Sequence, residues 1–272
     1  MNETIQFLAA PFALAVLLVL IHSYLGLHII ERDIIFADIS LSQVAALGAA
    51  ISAVVFQVEG SKSIAISLVL CGLASVLFAI FRRVEKSISQ ETLIGITYAL
   101  ASGFLVLVLD YSPHGGEHLK SSLIGNLLFT TWDQVAVVAL VYSAVGFAHY
   151  LLRNWFWSST QGKVNSIWVD VLFYLLFSIV ITFSTHHAGV LVVFSALVVP
   201  AALATKWGGS IRRRLFSSWI FGIFALIFAF TLSFHMDWPP GAGIVVTFST
   251  LFFLIVTVLA LWKPRQRKLV IK

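Results

Sequence analysis

Imidazole is the commonest protein ligand for transition metals and suits zinc, copper, iron and nickel. The sequence carries eight histidines. Five of them, His114, His118, His186, His187 and His235, fall at the ends of long apolar runs or in the segments between them. The densest string is Pro113-His114-Gly115-Gly116-Glu117-His118. It fits H-x-x-E-H, the inverted zinc-protease pattern, in which two imidazoles hold zinc and the carboxylate is the general base. That chemistry needs the two histidines on one helical face and a third ligand downstream. Adjacent glycines disfavour a helix there, and the acids after Glu117 are only Asp133, Asp170 and Asp237. A membrane zinc hydrolase is therefore the lesser reading, and an outer loop handling an incoming cation the better one, with a plain surface loop as the simplest alternative. His114, Glu117, His118, His186, His187 and His235 form the candidate metal-contacting set.

A second candidate group lies inside an apolar run. An acid within a membrane span is costly and marks function by default. Asp38 sits four residues into the second run, with Ser42 at i+4 on the same helical face. Gln43 is five residues on, about 140° round the helix from Asp38. Asp38, with Ser42 beside it and Gln43 near, is the candidate functional acid of this run, with a cap or a pair with Arg32 as its alternative role. Asp133 reads as a helix N-cap, and Glu91 as a first-turn charge that suits its own helix dipole.

These residues need elements to position them, and composition names the solvent. Hydrophobic residues make up 60% of the 272, charged residues 11%, and mean hydropathy is +0.99. A soluble domain carries about 25% charge. In lipid only helices and closed barrels span, and the apolar runs here are long and do not alternate. The expected fold is all-α, a polytopic membrane helix bundle forming a single domain over 1–272. A span needs about 20 apolar residues. About nine spans follow, at 7–30, 34–56, 63–81, 91–110, 133–152, 167–185, 188–205, 215–234 and 242–262, with eight the alternative count. The stretch 119–131 is too short to span and reads as a surface or re-entrant helix. Pro200 should kink the seventh span, and small residues in the second (Ala45, Ala46, Gly48, Ala49, Ala50) and fourth (Gly95, Ala99, Gly103) should let helices approach closely.

Orientation follows from Lys and Arg. With the N-terminus outside, 15 of the 17 basic residues fall on the cytoplasmic side, and only Lys62 and Lys120 fall outside. The C-terminal KPRQRK tail is then cytoplasmic. The start has no basic n-region, so no cleaved signal peptide is expected. The lone Cys71 excludes a disulfide framework and reads as a packed small residue. The net charge of +5 lies between apolar runs and gives no reason to expect a nucleic-acid partner. No P-loop occurs: Gly162-Lys163 is followed by Val164. The chain is therefore not expected to be an enzyme, and an ATP-driven step needs a partner ATPase.

Five segments, in order, resemble the permease subunits of zinc, manganese and iron ABC importers. Segment 32–48 (RDIIFADISLSQVAALG) is similar to that family's second-helix signature. ETLIGITYA at 91–99 resembles E-x-x-I-G-x-x-Y-A, and LIGNLL at 123–128 resembles L-x-G-N-I-L. AGVLVVFSALVVPAALA at 188–204 resembles G-V-L-L-V-x-x-L-L-I-x-P-A-x-x-A, and DWPPGAGI at 237–244 resembles D-x-P-x-G-A-x-I. The resemblance covers roughly residues 12–262. It implies a multi-pass protein of the bacterial inner (plasma) membrane, paired with a second permease copy in a homodimer or pseudo-dimer. Cytoplasmic ABC ATPase subunits would dock beneath, and an extracytoplasmic metal-binding protein would deliver a divalent metal ion above. That ion, zinc first, is substrate, and no permanently bound cofactor is expected. The family's in-path aspartate and histidine fall near Asp38 and at Gln43, so the histidine is replaced and the aspartate is one residue out of step. Loop 153–166 takes the place of the ATPase-contacting turn, with Gly162 and Lys163 as candidate docking residues. An ion-coupled secondary transporter is the other alternative; it would need paired intramembrane charges and matching halves, neither of which is visible.

Overall fold

The structure is a computed structural model that describes residues 2–84 and 88–262. Among these residues there are eleven α-helices: α1 (Asn2–Glu31), α2 (Phe36–Val54), α3 (Ser61–Phe81), α4 (Gln90–Asp110), α5 (Gly115–Ile124), α6 (Trp132–Leu151), α7 (Arg153–Thr160), α8 (Ile167–Ala188), α9 (Val190–Trp207), α10 (Ile211–Met236) and α11 (Pro240–Trp262). A short 3-10 turn, Leu127–Phe129, follows α5. Nine of these helices are long and apolar enough to cross a membrane. They coincide with the nine expected spans to within a few residues, including the abrupt turn at His187. There α8 ends on Ala188, Gly189 adopts a positive φ of 80°, and α9 begins at once. The protein is a multi-pass membrane helix bundle.

α2 is the centre of the bundle. It is the best-covered span, with 72% of its apolar window buried, against 17% for α11. It packs on α3, α4, α8 and α9. Its small residues permit this: a Cβ at Gly48 would meet the backbone of Ser67 on α3. Gly26 does the same for α1 against the Leu197 carbonyl of α9. The small residues of α4 do something different. Among the described residues nothing lies within 4 Å of a Cβ built at Gly95 or Gly103, and Gly103 is exposed. The close-approach expectation holds for α2 and fails for α4 within one chain.

The segments expected on one side of the membrane meet at one end of the bundle. Arg32 reaches Thr160, Arg82 reaches Ser159, and Arg214 pairs with Glu31 at 3.1 Å. At the other end, Gly241 packs against the carbonyl of Ile124, and the Asn126 N–H donates to the carbonyl of His187. Lys86 and the tail from Lys263 onward, which carry part of the orientation argument, lie outside the described residues.

Several local expectations are corrected. The N-cap of α6 is Thr131 rather than Asp133: its hydroxyl accepts from the Gln134 N–H while Gln134 returns a bond to the Thr131 N–H, a capping box. Asp133 is exposed in the first turn. Glu91 does not serve its own helix alone. Its carboxylate accepts from the Phe36 N–H at 3.0 Å and so caps α2, whose own N-cap, Ile35, offers no side-chain bond. The glycines of the HGGEH string do not prevent a helix: α5 starts at Gly115. Gly115 belongs there because a Cβ would collide with the Leu109 carbonyl, and in the first turn its propensity penalty is outweighed by that contact. α9 runs on through Pro200, and the carbonyl of Pro200 accepts from Ser218 Oγ at 3.2 Å. Cys71 is a buried packing residue, as expected.

Candidate functional site

One face of α2 carries the site. Successive helical residues turn by about 100°, so Asp38, Ser42, Ala45, Ala46, Ala49, Ala50 and Ala53 fall within an arc of roughly 140°. The alanines of this arc line a cavity of about 340 Å³. The rest of its wall comes from α3 (Ser63, Ser67), the preceding turn (Glu59, Gly60), α4 (Leu105, Leu109), α5 (His118, Ser121, Ser122), Asn126 and α8 (Thr182, Thr185, His186). Short alanine side chains keep the space open, and hydroxyls, two imidazoles and a carboxylate make it polar. It lies at the end of the bundle opposite the arginines.

Ser42 and Asp38 continue the arc beyond the cavity. Both are fully buried. Among the described residues neither oxygen of Asp38 has a hydrogen-bond partner, and neither does Ser42 Oγ. Burying a carboxylate without a donor is expensive, so its retention there calls for a reason beyond packing. The alternative pairing with Arg32 does not form, because Arg32 is turned to Asp170. Gln43 is buried as well but lies about 20° outside the arc.

The candidate histidines divide. His118 and His186 share the cavity. His187 stacks edge-on against His186 with ring centroids 5.5 Å apart. His114 and Glu117 contact each other at 3.6 Å on the exposed surface, with 73% and 86% of their side chains accessible. His235 is exposed at the end of α10. Among the described residues no three His, Cys, Asp or Glu side chains converge closely enough to hold a metal ion. The hydrolase reading has no support here, since among the described residues no third ligand joins His114 and His118.

The opposite end is organised by Asp170, which sequence reading did not single out. Its carboxylate is fully buried and contacts Arg32 (3.3 Å), Arg82 (2.5 Å) and Arg83 (3.3 Å). Ser159 Oγ donates to it at 2.7 Å. Arg82 also donates to the Ser159 carbonyl at 2.6 Å, and Arg32 to Thr160 Oγ1 at 3.1 Å. Ser159 and Thr160 end α7, so this helix is tied to α1, α3 and α8 through one carboxylate. Of the aromatic run in α7, Phe156 is buried against His149 and Phe173, while Trp155 is exposed. Gly162 closes α7 with a φ of 72°, donating to the Ser159 carbonyl, and Lys163 beside it is exposed.

Two further side chains at these two ends carry little sequence signal. Glu59 precedes a helix in a polar turn and gives no signal by type or spacing. Asp170 did leave one: an acid in the first turn of a span whose end should face a group of arginines.

Among the described residues nine candidate spans surround a buried acid, with a polar cavity at one end and a partly exposed short helix at the other, the build of a multi-pass membrane protein. Residues 4–259 match the ABC 3 transport family, and the chain belongs to it. It is 26% identical over 251 residues to "High-affinity zinc uptake system membrane protein ZnuB" of Buchnera aphidicola subsp. Baizongia pistaciae, covering 88% of this chain and 93% of that protein. It is 24% identical over 278 residues to "Manganese import system permease protein ScaB" of Streptococcus parasanguinis, covering 98% and 94%. Its fold is shared with a chain of "PsaBC from Streptococcus pneumoniae in complex with Fab", with a TM-score of 0.76 at 18% identity over 93% of each chain.

Proposed function

We propose that the chain forms the translocation path of an ATP-driven importer for a divalent transition-metal ion, zinc before manganese or iron. The observation that carries this is the continuous face of α2. A polar cavity bearing Glu59, His118 and His186 opens on it, and an unpartnered buried carboxylate, Asp38, lies further along the same face beyond Ser42. A cation needs a mouth that can replace its water and an acid that can balance its charge in low dielectric. Cavity and acid supply these in sequence, and the seal between them is the closed state of an alternating-access cycle. Imidazole at the mouth favours zinc over the all-oxygen preference of harder ions. Relatives named for zinc uptake and for manganese import bracket the same choice.

The cavity end then faces outward and receives the ion from an extracytoplasmic binding protein, and His114, Glu117, His187 and His235 are the outer residues proposed to guide it there. The arginine end faces the cytoplasm in the inner membrane. There α7, with Gly162 and Lys163 at its close, meets an ABC ATPase, because the chain has no P-loop of its own. A second permease copy completes the path. Purified permease with its ATPase and binding protein in proteoliposomes should accumulate radioactive zinc only with ATP. Asp38→Ala should abolish uptake while ATPase docking survives. Zinc, manganese and iron uptake all absent with every component present would end the proposal, and manganese outcompeting zinc at equal concentration would reverse the ion order.

A further inference from the structure

A second and larger space lies on the other flank of the bundle, away from α2. It is a cleft of about 680 Å³ between α1, α6, α7 and α10. Its walls are apolar along most of their length, with Leu17, Leu20 and Ile21 on α1 facing Ala139 and Gly146 on α6. At the arginine end of the bundle it finishes with Arg153, Asn154 and Arg212. Both arginines are exposed, and among the described residues neither pairs with an acid, although Arg32, Arg82, Arg83 and Arg214 all do. Arg153 meets only the Tyr150 carbonyl and ring.

Length and charge together say what fits. The lining residues of α1 run from Leu17 to His28 and those of α6 from Ala139 to Tyr150. Eleven residues rise about 16 Å along a helix, and half of a hydrocarbon core is about 15 Å. The cleft therefore spans one leaflet, from the headgroup level to the bilayer middle. Two unpaired guanidiniums at the headgroup level present donors in the geometry that takes phosphate, and basic pockets between spanning helices hold anionic headgroups. We propose that this cleft is a binding site for one anionic phospholipid, its phosphate between Arg153 and Arg212 and an acyl chain along the α1–α6 wall.

Gly146 gives a clean way to fill the cleft. A Cβ built there meets only Ile21 Cδ1, at 4.0 Å, so a larger side chain enters the space without touching backbone. The full chain, delipidated and returned to mixed vesicles of phosphatidylglycerol and phosphatidylcholine, is examined by native mass spectrometry. Expected is one retained phosphatidylglycerol in preference to phosphatidylcholine. Arg153→Gln with Arg212→Gln should lower that retention at least tenfold, and Gly146→Phe should lower it for both lipids while the melting temperature stays near that of the parent. Equal retention of the two lipids, or retention unchanged in the arginine variant, overturns the proposal. So does efficient disulfide formation between two chains carrying Ser143→Cys, which would mean that a second copy covers the cleft.

Discussion

Asp170 offers the sharpest test of the architecture. It is one fully buried carboxylate facing three guanidiniums whose side chains are 2%, 20% and 28% accessible for Arg32, Arg82 and Arg83. Asp170→Asn keeps the shape and removes the charge, leaving like charges packed together. Removing one member of a buried ion pair costs about 3–5 kcal/mol. At roughly 2–4 °C per kcal/mol for a chain approaching this size, the melting temperature in detergent should fall by about 10 °C, read by size-exclusion after heating. Asp133→Asn, an exposed acid, should stay within about 0.5 kcal/mol of the parent. The sign of a second change is more telling than the size of the first. Arg83→Gln alone should destabilise, because it loses an attraction. In the Asp170→Asn background it should stabilise, because it then removes a repulsion, giving a coupling within the roughly 0.5–3 kcal/mol range of contacting pairs. If Asp170→Asn melts within 2 °C of the parent, or Arg83→Gln has the same sign in both backgrounds, the carboxylate does not hold this end together.

Asp38 predicts the opposite behaviour. Its oxygens have no partners, so Asp38→Leu removes an unsatisfied buried group and should raise the melting temperature while uptake is lost; a fall of several degrees would mean that the acid is structural. Gly26→Val should cost at least ~1–3 kcal/mol, because its Cβ meets the Leu197 carbonyl. Gly103→Ala, facing open space in α4, should be neutral or gain a few tenths of a kcal/mol in the same melting assay. Glu91→Ala removes the bond to the Phe36 N–H and should cost about 1 kcal/mol by frayed α2 capping; faster amide exchange at Phe36 would report it, and unchanged exchange would count against it.

The spans were readable because lipid imposes a simple rule. Twenty apolar residues make a helix whatever their neighbours, and basic residues gather at one set of ends. The arginines of that end were visible in this way, and the structure does bring Arg32, Arg82 and Arg214 to one end. What they grip was not visible, since pairing depends on which helix tops lie adjacent in space. Arg32 has both Asp38 and Asp170 within its chemical reach as types, and only packing decides for Asp170. Capping shows the same division. Thr131 and Gln134 form a local box written in four consecutive residues, and Asp133 between them competes for the same cap by type. Glu91 caps a helix more than fifty positions away, which no local pattern encodes. Of the six candidate metal-contacting residues, the structure brings His118 and His186 into one cavity and adds Glu59 from a turn with no periodic signal. The others stay outside the cavity wall: His114, Glu117 and His235 are exposed, and His187 packs edge-on against His186.

The two ends of the molecule are joined by the helices that Asp170 ties together. α8 carries Asp170 in its first turn and Thr182, Thr185 and His186 in its last turns, where they line the polar cavity. α3 carries Arg82 just past its end and Ser63 and Ser67 on the cavity wall. A displacement of α7 at the arginine end therefore acts on two of the rigid helices that line the cavity, about 20–25 Å away at 1.5 Å rise per residue. Packed helices move as units and interfaces switch between discrete arrangements, so no chain of side-chain contacts along the bundle is required. A push on the exposed face of this eight-residue helix needs only the Asp170 clamp to be stiff for it to reach the mouth of the cavity. Loosening that clamp should then weaken uptake more than it weakens ATP hydrolysis, whereas loss of the α2 acid should stop uptake with the clamp intact.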